Sequence, residues 1–137
     1  MVMEKFIGTW VEEGKEGFEE FASALNLSQE KRQMYNTKTR LQYSKDGNSW
    51  FLTVGVEGAS QERTYNFTPG QEYAAADIDG SSMTSLINIE DDKFVEKHTF
   101  SSLAGAEMAI TREVKGDYMT VTSNVGGNVL VTRYKRV

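Results

Sequence analysis

The apolar positions of this chain keep a helical period over one short stretch and a period of two almost everywhere else. Phe18, Phe21, Ala22 and Leu25 fall at i, i+3, i+4 and i+7, one face of an amphipathic helix. Asn26-Leu27 breaks that face. Ser28 can cap a second helix with Glu30 in its first turn, and Leu27, Met34 and Tyr35 give it a thin apolar stripe. Before the pair, Phe6-Ile7-Gly8-Thr9-Trp10 opens a strand read from Lys5 to Glu13. From Lys38 onward apolar and polar residues alternate between turn signals at Lys45-Asp46-Gly47-Asn48, Pro69-Gly70, Asp79-Gly80, Glu90-Asp91-Asp92-Lys93, Lys115-Gly116-Asp117 and Gly126-Gly127. Intervals of about ten residues are those of an antiparallel meander, and the count comes to about ten strands. So many short strands leave exposed edges unless the sheet closes on itself. Two helices this short cannot form a core of their own. The expectation is one all-β domain over residues 1–137: a ten-stranded antiparallel up-and-down β-barrel capped by a short helix-turn-helix, its lid spanning about residues 16–36.

Composition narrows the function. With 39% apolar and 26% charged residues the chain is an ordinary globular protein rather than a disordered one. No run approaches the roughly 18 apolar residues of a membrane-spanning helix. Met1-Val2-Met3-Glu4-Lys5 leads straight into the first strand without an apolar leader, so the expected location is the cytoplasm. The absence of cysteine excludes disulfides and thiolate metal sites. A net charge of −5 disfavours nucleic acid as a partner. His98 is the sole histidine, which speaks against a metal site, and no nucleophile, base and orienting group stand together in the pattern. Gly126-Gly127 lies between two strands and reads as a hairpin turn rather than a phosphate loop. No catalytic residue, cofactor or metal is expected.

One residue breaks the pattern in an informative way. Met108, Ile110, Arg112 and Val114 share one strand face, while Ala109, Thr111 and Glu113 share the other. An arginine inside an apolar face costs several kcal/mol if buried alone, on the order of magnitude of any unpaired buried charge. Arg112 therefore needs an internal carboxylate, ordered water or an anionic ligand, unless it reaches out at a strand end. The residues alone leave those choices open. In the last strand Leu130, Thr132 and Tyr134 alternate with Val129, Val131, Arg133 and Lys135, and periodicity allows either face inside.

Phe6-x-Gly8-Thr9-Trp10, the helix pair, Phe67-Thr68-Pro69-Gly70-Gln71-Glu72-Tyr73, Thr111-Arg112-Glu113-Val114 and Val131-Thr132-Arg133-Tyr134-Lys135-Arg136-Val137 follow one another in an order that resembles the intracellular lipid-binding protein family. That family includes fatty-acid-, bile-acid- and retinoid-binding proteins. The stretch from Asp77-Ile78-Asp79-Gly80 to the Lys-Arg-Val ending looks closest to its liver and bile-acid-binding branch. The resemblance implies a calycin-like barrel with a ligand inside, and Gly8 and Trp10 in structural roles. It also favours a ligand as the partner of Arg112. It puts Tyr134 on the family's anchoring tyrosine and Thr132 where a second arginine is usual, so the three-residue carboxylate clamp is incomplete. Arg133 and Lys135 would then face solvent; the alternative register would bury two more cations beside Arg112.

The ligand-binding residues it implies are Arg112, Tyr134, Thr132, Ile110, Val121 and Leu41, with Phe18 and Ala22 on the lid. Val56, Ile78 and Asp79 would stand at a portal between Val56-Glu57-Gly58 and Ile78-Asp79-Gly80. The function implied is a non-catalytic, monomeric cytoplasmic carrier of a long-chain fatty acid or similar apolar anion. Transient membrane contact would run through the lid, although Glu16, Glu19 and Glu20 make the first helix acidic and Lys31 and Arg32 are a thin basic substitute. The alternatives are a bile acid, retinoid or pigment as cargo, or a regulatory protein using the barrel as a scaffold for interactions.

Overall fold

A computed structural model describes residues 2–56, 62–76, 81–101 and 105–137. After a 3-10 turn at Val2–Phe6 come β1 (Gly8–Glu16), the helices α1 (Phe18–Ala24) and α2 (Gln29–Asn36), then β2 (Thr39–Asp46), β3 (Ser49–Val56), β4 (Glu62–Phe67) and β5 (Tyr73–Ala76). β6 (Ser82–Glu90), β7 (Lys93–Phe100), β8 (Glu107–Lys115), β9 (Tyr118–Val125) and β10 (Asn128–Arg136) complete the chain. They form one antiparallel ten-stranded sheet in the order β4-β3-β2-β1-β10-β9-β8-β7-β6-β5. Every strand pairs with a neighbour in sequence, the one consecutive pair not joined by a ladder being β4 and β5, and β1 pairs with β10, so the sheet curls into the expected up-and-down barrel.

The two edges, β4 and β5, are joined by side chains. Tyr65 donates to the Ala76 carbonyl at 2.8 Å, and the Phe67 and Tyr73 rings stack with centroids 6.5 Å apart.

Tight turns at 47–48, 91–92 and 116–117 gather at the end of the barrel opposite the helices. Asp91 and Asp92 both take positive φ there, which short side chains able to bond locally tolerate best. That end is closed by aromatic rings. Phe94 packs at its centre, with Phe6, Tyr43, Trp50 and Phe67 at centroid distances of 4.6, 5.7, 5.1 and 5.6 Å. Trp10 is fully buried, donates from Nε1 to the Phe6 carbonyl at 2.9 Å, and carries the Arg136 guanidinium over its ring at 4.2 Å. This local closure explains why β1 starts at Gly8 rather than at Lys5: residues before it turn back so that the Phe6 carbonyl meets the indole.

A second difference lies at the other end of β1. Its register against β10 slips between Glu12 and Gly14, opposite Tyr134 and Arg133. Such a bulge changes which side chains face inward. Trp10 and Glu12 point in before it; beyond it Lys15 does, paired with Thr132.

The helices cross the opposite end, with α1 packed on β10. Phe21, Ala22 and Leu27 are buried, and Phe18 and Leu25 pack at the margin of the core. Asn26 ends α1 at φ 49°, as a left-handed position suits asparagine. The side chains of Met34 and Tyr35, expected as a stripe on α2, lie outside what the structure describes.

Gly17 joins β1 to α1 at φ 80°, and a Cβ there would stand 2.8 Å from the Val129 carbonyl oxygen. Gly17→Ala should therefore lower unfolding free energy by about 1–3 kcal/mol, because both the backbone and a main-chain carbonyl would have to shift. Urea melts of the two proteins measure it; an unchanged midpoint contradicts the tight seating of α1 on β10.

Candidate functional site

Inside the barrel lies a cavity of about 200 Å³. Leu41, Val56, Ile110 and Val121 line it, as do Met83 and Met108. Thr132 and Tyr134 also reach it, each only 6% exposed, from the inner face of β10 that they share with Leu130. Arg133 and Lys135 on the outer face are exposed, and Arg133 pairs with Glu16. Phe18 and Ala22 do not reach this cavity. Ala22 is sealed under α1, and Phe18 borders a separate, more open cleft with Lys38 that shares Glu12 and Lys15 with the cavity. Ile78, Asp79, Glu57, Gly58 and Gly80 lie outside the described residues.

Arg112 lines the cavity, its side chain 12% exposed, and its partner is an internal carboxylate. On β7, Phe94, Glu96, His98 and Phe100 all point inward. Phe94 lies opposite Arg112 and Glu96 opposite Ile110, which sets Glu96 diagonally across from the guanidinium. Arg112 Nε donates to Glu96 Oε2 at 2.7 Å. The other carboxylate oxygen, Oε1, is 2.7 Å from His98 Nε2, and His98 Nδ1 is 2.6 Å from Ser85 Oγ. Ser85 and His98 are directly paired across β6 and β7. Four buried polar side chains thus form one chain of hydrogen bonds.

Burial by itself would raise the Glu96 pKa; the charge of Arg112, the contacts with His98 and the hydrogen bond from Arg112 outweigh it and hold the carboxyl down at about 2. Burial likewise works against the Arg112 cation, but the charge of Glu96 more than offsets it and raises its pKa. Glu113, on the outer face, pairs with Lys93 at 3.0 Å and Lys115 at 3.1 Å and takes no part inside.

A second polar group forms where the bulge turns Lys15 inward. Lys15 pairs with Glu12, whose other oxygen accepts from Thr39 N and Thr39 Oγ1, both at 3.2 Å. Thr39 Oγ1 is in turn 2.6 Å from Tyr134 Oη. Burial raises the Tyr134 pKa, opposed by the Thr39 bond and the Arg112 charge, so the phenol stays a neutral donor and acceptor.

Glu96, Ser85, Glu12 and Lys15 carry no sequence motif, and His98 stands out in the sequence only as the sole histidine. Glu96 and His98 alternate in phase with Phe94 and Phe100, a signal that was there to be read; Lys15 had none, because only the bulge brings it inside. Among the described residues no group of three or more His, Asp or Glu side chains is placed to hold a metal ion, and no helix is long and apolar enough to cross a membrane.

No protein-family model matches the chain. Fatty acid-binding protein homolog 6 of Caenorhabditis elegans is 27% identical over 134 residues, covering 97% of this chain and 98% of that protein. Cellular retinoic acid-binding protein 1 of Hippocampus comes is 28% identical over 138 residues, covering 98% and 99%. Among solved structures, fatty-acid-binding protein 1 of Echinococcus granulosus superposes with a TM-score of 0.83 at 26% identity, over 98% of each chain.

The Arg112–Glu96 pair carries two predictions. Glu96→Ala strands a buried cation and should cost about 3–5 kcal/mol of stability. Because the folded-state pKa of Glu96 lies below its unfolded value, the stability it contributes is complete above the ordinary carboxylate range and is lost as pH falls from about 4.5 towards 2, on the order of 3 kcal/mol. Urea melts at about pH 7 and about pH 2.5 should show that loss in the wild type and a smaller one in Glu96→Gln. Equal losses in both would mean the pair is not what acid disrupts.

Proposed function

We propose that this chain, whose barrel and relatives bear out its likeness to the intracellular lipid-binding family, is a non-catalytic carrier that encloses one largely apolar ligand. The observation that carries the reading is a buried cavity with aliphatic walls and a few converging polar groups, Arg112, Thr132 and Tyr134, at one place on its lining. The apolar part of a ligand would lie among Leu41, Val56, Ile110 and Val121, with about 0.8 kcal/mol gained for each CH₂ removed from water. Its polar end would meet Arg112 and Tyr134, with Thr132 beside them.

The names of the relatives, fatty acid-binding and retinoic acid-binding, support a long-chain fatty acid or a lipid of similar length as cargo. A cavity of about 200 Å³ is smaller than the roughly 300–1,000 Å³ of most ligand pockets, so entry has to displace side chains. Met83 and Met108, unbranched and flexible, can make way for a slender chain. A bile acid or pigment, with wide rigid rings, would demand a larger rearrangement and ranks second. The carrier would act as a monomer in the cytoplasm. The lid is poorly suited to an anionic membrane: Glu19 and Glu20 are exposed on α1, and Arg32 lies 3.7 Å from Glu19.

A lipid-stripped preparation should bind a hydrophobic fluorescent probe at about one per chain, displaced by long-chain lipids. Arg133→Ala and Lys135→Ala should leave displacement unchanged, since both side chains are in water, while Tyr134→Phe should weaken it by about 1 kcal/mol. A stripped protein that takes up no probe, fatty acid, bile acid or retinoid overturns the carrier reading in favour of a scaffold.

A further inference from the structure

We propose that Glu96 makes the polar end of the cavity select an uncharged oxygen head group, the hydroxyl of a long-chain alcohol or the carbonyl of an amide, over a carboxylate. The inference rests on the carrier reading and concerns the head of the ligand alone.

Besides His98, the ionisable acids and bases lining the cavity are two of each, paired as Lys15 with Glu12 and Arg112 with Glu96. Those four charges cancel, and Thr132 and Tyr134 add none. Arg112 is therefore not a free cation awaiting an anion. Nor can Glu96 readily step aside. It is 2% exposed, with one oxygen held by Arg112 and the other by His98, itself held by Ser85. Its low pKa means that it stays ionised rather than yielding its place by taking a proton.

A carboxylate arriving at Arg112 would share one guanidinium with a second carboxylate and bring an uncompensated charge into the barrel interior. Like charges that share a site force one of them to bind protonated. An uncharged oxygen meets neither obstacle. The hydrogen bond from Arg112 to Glu96 uses Nε, so its Nη groups remain as donors among the described residues. A ligand carbonyl or hydroxyl can accept from them, and a hydroxyl can donate to Thr132 or Ser123, both buried on the same lining.

The test uses the intact, lipid-stripped chain at about pH 8, well above the ordinary carboxylate range. Oleic acid, oleyl alcohol and oleamide are compared by displacement of one hydrophobic probe. The alcohol and the amide should displace it at concentrations at least about tenfold lower than the acid. Calorimetry of the acid in two buffers of different ionisation enthalpy should show about one proton taken up per acid bound, the proton neutralising the incoming carboxylate. Glu96→Gln should shift the acid-to-alcohol ratio towards the acid by about tenfold or more, while Glu113→Gln on the outer face leaves it unchanged.

The proposal is overturned if the wild type takes the acid as tightly as the alcohol, if the acid binds without proton uptake, or if Glu96→Gln weakens all ligands alike. Should Glu96→Gln fail to fold, the ratio and the proton count in the wild type decide by themselves. If probe, acid, alcohol and amide all fail to bind, the carrier reading falls instead.

Discussion

The ladder between β1 and β10 runs from Trp10 opposite Arg136 to Glu16 opposite Val131 and joins the two ends of the chain. Without it the sheet would be open, with edge strands to protect and no enclosed space. With it, β4 and β5 are the only ends of the sheet, and they are bridged by Tyr65 and by stacked rings. Arg136 reinforces the seam: it lies over Trp10 and donates to the Ile7 carbonyl at 2.8 Å. A barrel of this size has too small a core to tolerate a loose closure, and the aromatic cluster around Phe94 fills the end farthest from the helices.

Once an interior exists, its charges are constrained. A lone buried ion costs several kcal/mol, so each cation that faces inward has to meet an anion with its remaining hydrogen bonds satisfied. Arg112 meets Glu96, and Lys15 meets Glu12. These pairs are not evidence of high stability, because an apolar replacement would avoid the cost of desolvating them. Their consequence is specificity. They give one region of the cavity fixed dipoles and spare donors, while the rest of the wall is aliphatic. A ligand is then oriented by few polar contacts and held by many apolar ones.

The alternation of apolar and polar residues, read with the turn signals, determined a good deal without tertiary information. It carried the number and direction of the strands, the amphipathic face of Phe18, Phe21, Ala22 and Leu25, and the inward phase of Met108, Ile110 and Arg112. These are local properties: a two-residue or a 3.6-residue period is written into neighbouring positions, and so is the glycine or aspartate that a tight turn requires. The demand that Arg112 find a partner was equally legible, since it follows from burial alone.

Which partner it finds was decided by the tertiary structure. Glu96 stands 16 positions away in sequence and reaches the guanidinium only because β7 and β8 pair Phe94 with Arg112 and Glu96 with Ile110. A shift of one residue in that register would turn one strand's inner side chains outward. Lys15 is the stronger case. Strict alternation from Trp10 and Glu12 would place it outside, and the irregularity after Glu12 brings it in beside Thr132. The start of β1 at Gly8 rather than Lys5 is likewise a tertiary matter, because the turn before Gly8 depends on the Trp10 indole reaching the Phe6 carbonyl. Periodicity assigns a side chain to a face; only the register between strands, and the bulges that alter it, decides which charges on that face meet.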